Sequence, residues 1–170
     1  EGRLTDHYNP LDKTVNLSPE VFSGRSVASA AIAAHECGHA VQHADAYQWL
    51  ELRSKVVPTV SFMGKWVPWV LMGGALLAFA SPYLGLAVIA LGIVFYGAMS
   101  IFSLITLPVE FDASARALRW LESSGMTAGS EHDMAKDALK WAALTYVIAA
   151  VGMIVNLLYY INLLTGRSRD

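Results

Sequence analysis

The sequence predicts a mainly α-helical integral-membrane protein, with about three transmembrane helices and a small helical domain that includes a short β element. Three observations predict it. With 55% hydrophobic and only 15% charged residues among 170, and a mean hydropathy of +0.42, the chain is too apolar for an ordinary soluble domain of its length. No Asp, Glu, Lys, Arg or His occurs between Trp66 and Val109, which leaves room for two crossings at about 20 residues each. A second uncharged run, Trp141 to Gly166, is long enough for a third. The alternative, three buried helices of a soluble core, fails because a domain this small cannot cover them all.

Taken in order, Glu1 to Ser18 contains Asn9-Pro10 followed by Lys13 to Leu17. This reads as a turn and then a short strand with Val15 and Leu17 on one face. Ser18-Pro19-Glu20 has the form of a helix start, with serine as cap and proline at the first helical position, and Gly24 ends that short turn. Ser26 caps a second helix running through an Ala-rich stretch to about Asp45. The long uncharged run has one good turn signal, Ser81-Pro82-Tyr83, so it divides into spans of about Pro58 to Ala80 and Tyr83 to Leu107. Trp66, Trp69, Tyr83 and Tyr96 suit membrane interfaces. Asn156 and Asn162 in the last run are expected as interhelical hydrogen-bonders. The organisation is therefore a membrane-surface part at 1–56, a transmembrane hairpin at 57–107, a helical part at 108–140, a third span at 141–166 and a tail at 167–170. There is no internal repeat, and the start at Glu1 without methionine leads us to expect an upstream segment.

The net charge of −2 offers no basic field for nucleic acid, which excludes that partner class. The single cysteine, Cys37, can form no internal disulfide; it points away from the neighbouring histidine face and is expected as a small packing residue.

The chemistry starts from the spacing in His35-Glu36-Cys37-Gly38-His39. On a helix, His35 and His39 lie one turn apart on one face, so both imidazoles can bind one Zn2+ ion. Glu36 is placed to take the proton of an activated water and deliver it to a leaving amine. Gly38 would let another backbone or a substrate come close. The third ligand is expected at Glu110 in Pro108-Val109-Glu110-Phe111-Asp112: a hairpin crosses the membrane an even number of times, which returns Glu110 to the side of the two histidines. Asp112 is the rival, although two residues on it faces away from Glu110.

Three segments carry a resemblance to a known family: Leu4 to Pro10 (LTDHYNP), Ala34 to His43 (AHECGHAVQH) and Leu107 to Ser114 (LPVEFDAS). Together they resemble the YugP-type neutral zinc metallopeptidases of bacteria, over essentially the whole chain, and more distantly the membrane gluzincins that include HtpX-type proteases. The resemblance implies a zincin-like domain, two histidines and a glutamate on zinc, a glutamate base, a cytosol-facing site at the membrane surface and an upstream membrane helix. In the gluzincin pattern an aspartate four residues after the ligand glutamate orients a zinc histidine. Ser114 stands there instead: either the bond comes from Ser114 itself, from Asp112 or from Asp6, or the zinc is held less tightly.

His43 continues the ligand face by one more turn and is expected beside the zinc ligands, not among them. His7, Tyr8, Arg116 and His132 are candidates to stabilise the oxyanion of a tetrahedral intermediate. The expected function is peptide-bond hydrolysis by a zinc-activated water at the cytosolic face of a bacterial plasma membrane. The partners are a peptide or protein substrate and the lipid bilayer; no oligomeric state is legible. Basic residues crowd one side of the spans (Arg53, Lys55, Lys65, Arg116, Arg119, Lys136, Lys140) against Arg167 and Arg169 on the other, so the positive-inside rule makes the catalytic side cytoplasmic. Two other classes compete: a non-hydrolytic zinc scaffold, which has no need of Glu36, and an intramembrane protease, for which the apolar run before His35 is too short.

Overall fold

Residues 5–166 are described by the computed structural model; the expected tail with Arg167 and Arg169 lies outside the described residues. Two short strands, β1 (His7–Asn9) and β2 (Thr14–Asn16), precede helices α1 (Pro19–Phe22), α2 (Val27–Ala44), α3 (Gln48–Ala80), α4 (Pro82–Ser123) and α5 (Ser130–Gly166). The strands pair antiparallel with Tyr8 opposite Val15. Asn9 makes the turn between them: its Oδ1 accepts from the Leu11 amide (3.0 Å) and its Nδ2 donates to Asp12 (2.7 Å). The sequence predicted one strand, and β1 is the addition. Three residues without hydrophobic alternation give no signal of their own, and β1 exists because β2 supplies its partners.

Both predicted caps form. Ser18 accepts from the Val21 amide with Pro19 at the start of α1, and Ser26 accepts from the Ser29 amide at the start of α2. Asp6 anchors the first cap, since its carboxylate accepts from the Ser18 amide (2.7 Å) and hydroxyl (3.3 Å). The long helices outrun the predicted spans. α3 starts at Gln48, α4 continues past Leu107 to Ser123 without a break, and α5 begins at Ser130. Charged residues are as compatible with a helix as apolar ones, so hydropathy marks where a helix can meet lipid and not where it ends.

The chain falls into two compact units, Glu1–Ser54 with Thr106–Val147 and Lys55–Ile105 with Ile148–Asp170. The second unit consists of the apolar stretches of α3, α4 and α5, each long and apolar enough to cross a membrane. Its outward side chains are large and apolar, among them Phe62, Trp69, Leu76 and Phe79; such a surface needs lipid around it. Small residues let α3 and α4 approach: a Cβ on Gly92 would meet Leu71 at 2.6 Å. Asn156 differs from expectation, because its side-chain amide donates to the Gly152 carbonyl of its own helix (2.9 Å) and not to a neighbour.

The first unit is held by stripes of small residues four apart. On α4, Val109, Ala113, Ala117 and Leu121 are buried, and Ala31 and Ala34 of α2 pack with Ala117, Leu121, Ala135 and Leu139 in one core. Gly38 marks the closest approach, since a Cβ there would lie 2.6 Å from the Ala113 carbonyl oxygen. Gly38→Ala should therefore destabilise the protein by roughly 1–3 kcal/mol through overpacking against backbone, although alanine is the better helix former by about 1 kcal/mol. Thermal unfolding in detergent measures this; an unchanged or higher midpoint would show that α4 yields there at no cost.

Candidate metal centre

α2 and α4 bring the predicted donors together. His35 and His39, one turn apart on α2, hold their rings edge to face with centroids 4.8 Å apart. Glu110 enters from α4, only 2% exposed. Its Oε2 lies 3.2 Å from His35 Nε2 and 3.7 Å from His39 Nε2. One ligand atom from each residue lies within 4.8 Å of the others. Among the described residues this is the group of histidine, cysteine, aspartate and glutamate side chains able to hold a metal ion.

The back of each ring is occupied. His35 Nδ1 meets the Ser114 hydroxyl at 3.1 Å, and His39 Nδ1 meets the Gln42 Oε1 at 3.0 Å. Ser114 thus stands against a candidate zinc histidine as the sequence alternatives allowed. Of the other two alternatives, Asp6 does not reach the rings because its oxygens bond Ser18, and Asp112 connects to His39 only through Gln42.

The electrostatics suit a cation. Burial alone would raise the pKa of Glu110, but hydrogen bonds to His35 and His39 and the positive charge of His39 and Arg53 outweigh it; its carboxyl is held far below the usual carboxylate range and is ionised. Burial likewise opposes a charged His39, but the hydrogen bond and charge of Glu110, with Gln42 and Glu36 adding to them, leave its pKa raised. Glu36 is buried at 8% exposure, next to His35 in the chain and close enough for its charge to act on His39. Two inward-facing imidazole nitrogens and one ionised carboxylate oxygen are a donor set that zinc accepts. The residues present therefore fit that metal.

The remaining candidates are engaged elsewhere. His43 Nδ1 bonds the Tyr8 hydroxyl (2.7 Å), which ties β1 to α2. His7 bonds the Thr5 carbonyl, and His132 bonds the Thr127 hydroxyl at the start of α5. Asp112 accepts from Gln42 Nε2 (2.8 Å) and Arg116 Nε (2.7 Å); hydrogen bonds from both overcome the effect of burial and lower its pKa. Arg116 also pairs with Asp45 and lies over the Tyr47 ring, 5.9 Å from its centroid. Cys37 corrects an expectation: it is exposed, not packed. It borders an open apolar groove between α2 and α4, lined also by Ala34, Val41, Ala117 and Trp120. The helix face opposite the histidines is uncovered there.

Three residues at the centre escaped the sequence reading. Arg53 Nη1 donates to Glu110 Oε1 at 2.8 Å, yet from the sequence it counted only as an orientation charge, and nothing links positions so far apart. Gln42 lies three residues beyond His39, a helical neighbour that the spacing rule could have flagged. Tyr146 of α5 lies in the electrostatic field of Glu110, Arg53 and Glu36; a tyrosine in an apolar run carries no separate signal.

A family model described as "Putative neutral zinc metallopeptidase" matches residues 1–165. The chain is 42% identical over 170 residues to "Putative membrane protease YugP" of Bacillus subtilis (strain 168), covering 99% of this chain and 73% of that protein. No solved structure matches it.

Proposed function

The chain belongs to the neutral zinc metallopeptidase family, and we propose on that premise that it hydrolyses peptide bonds at the cytosolic surface of a bacterial plasma membrane. The observation that carries the proposal is the convergence of His35 Nε2, His39 Nε2 and Glu110 Oε2 with the buried Glu36 beside them. In this reading His35, His39 and Glu110 hold the metal, and Arg53 keeps the second oxygen of Glu110 turned away from it. Zinc, when bound, polarises the scissile carbonyl and makes water a nucleophile near neutral pH. Glu36 accepts the proton that the attacking water loses and returns it to the amide nitrogen as the C–N bond breaks, so that the amine leaves neutral. Ser114 and Gln42 keep the two rings turned inward. The substrate is a peptide or protein segment that reaches the membrane surface.

Purified protein in detergent should contain about one zinc per chain and should cleave an unfolded protein substrate. A chelator should stop cleavage and added zinc should restore it. Cleavage that continues after the metal is removed would refute the zinc mechanism, and a stably metal-loaded protein that cleaves nothing would favour the scaffold.

The cytosolic orientation rests on the excess of basic residues flanking the spans on the metal side. In a Cys37→Ala background, a membrane-impermeant thiol reagent added to intact cells should modify Tyr83→Cys, in the turn between α3 and α4, and spare Ser130→Cys at the start of α5. The reverse pattern would place the metal centre outside.

A further inference from the structure

A fully buried side chain with three hydrogen bonds next to a candidate ligand asks what it is for. Gln42 is 0% exposed. Its Nε2 donates to the Val109 carbonyl and to Asp112 Oδ2, each at 2.8 Å, and its Oε1 faces His39 Nδ1 at 3.0 Å.

The chemistry of these partners leaves one arrangement. A backbone carbonyl and an ionised carboxylate only accept hydrogen bonds, so the two hydrogens of the Gln42 amide must point at them. Rotating the amide by half a turn would set its oxygen against two acceptors in a site closed to water, where unmatched polar atoms are costly. Asp112 cannot turn aside to relieve this, because Arg116 Nε holds the same oxygen at 2.7 Å and Arg116 is itself held by Asp45 at the end of α2. The Gln42 oxygen is therefore committed to His39 Nδ1, and an amide oxygen only accepts. Nδ1 must carry the hydrogen. A neutral imidazole with hydrogen on Nδ1 has its lone pair on Nε2, the atom that faces Glu110 Oε2.

His35 is placed differently: its Nδ1 partner is the Ser114 hydroxyl, which can donate or accept, while its Nε2 lies 3.2 Å from the ionised Glu110 Oε2, which only accepts.

We propose that Gln42 is a positioning residue that holds a hydrogen on His39 Nδ1 and so reserves Nε2 for the metal. The orientation originates at the protein surface and is handed inward through Asp45, Arg116, Asp112 and Gln42 to His39. This inference rests on the reading of His39 as a zinc ligand for its consequence, though not for the tautomer itself.

The test uses metal-free full-length protein labelled with 15N-histidine, at a pH where imidazoles are neutral, with His39 assigned by comparison with His39→Asn. Long-range 1H–15N spectra distinguish the two tautomers directly. Wild type should show His39 as Nδ1–H. Gln42→Met, which keeps the size and removes the amide, should shift His39 toward Nε2–H and weaken Zn2+ binding, measured by competition with a chelator, by about 10–100-fold, the usual loss for a residue that orients a ligand. If Gln42→Met does not fold, Asp112→Asn reports instead: the new amide can offer nitrogen to Gln42 and release its orientation, so the same two readouts should move the same way by less. Wild-type His39 as Nε2–H would overturn the proposal, as would a folded Gln42→Met with the Nδ1–H tautomer and zinc affinity unchanged. Unchanged zinc affinity in His39→Ala would instead defeat the ligand reading, and the tautomer result would stand apart from it.

Discussion

Glu36→Gln should lower peptide hydrolysis by about 100- to 10,000-fold, the usual contribution of a positioned proton-transfer group, while zinc stays bound. Glutamine has nearly the shape of glutamate but cannot take up a proton, so the attacking water keeps its own and the leaving nitrogen receives none. Nothing in the metal group changes, since the converging atoms belong to His35, His39 and Glu110. Metal content, unfolding temperature and hydrolysis measured on the same preparation separate the possibilities. Hydrolysis near the wild-type rate would remove Glu36 from the proton transfer, and a variant purified without zinc would make it part of the metal's support.

Glu110→Gln should have the opposite signature, a large loss of metal together with the loss of activity. The charge that faces both rings and Arg53 disappears, and the neutral amide is a poor zinc donor. We expect affinity to fall by at least about 100-fold, the upper end of what removal of an orienting residue costs. A ligand that binds only the folded state at about 1,000 times its Kd stabilises it by about 4 kcal/mol, and at about 10 times its Kd by about 1.4 kcal/mol. The rise in unfolding temperature on adding zinc should thus shrink to about a third. The comparison between metal-loaded and metal-free protein within each variant matters here, because Glu110→Gln also leaves Arg53 without its partner and lowers the metal-free baseline. A variant whose zinc-dependent rise equals that of wild type would remove Glu110 from the ligand set.

The shared face of His35 and His39 and the long apolar helices were legible because each obeys a local rule. Two histidines four apart on a predicted helix must share a face, and an uncharged run of sufficient length between charged segments belongs in lipid. Glu110 needed one more step, the even number of crossings in a hairpin, which is topology and still readable along the chain. The caps at Ser18 and Ser26 are equally local.

What the tertiary structure alone decided lies one shell further out. Whether Asp6 or Asp112 turns toward a histidine depends on which partner is nearer in space. Asp6 bonds the Ser18 amide and hydroxyl, and Asp112 bonds Gln42 and Arg116. Arg53 meets Glu110 because the first turns of α3 pass beside α4 in the same unit, a contact that no periodicity announces. The sequence determined which metal-donor side chains share a helix face, since donor type and helical spacing are properties of neighbouring positions. Which hydrogen-bonded groups aim and charge those donors was left to the packing, because a long-range polar contact depends on distances that the order of residues does not contain.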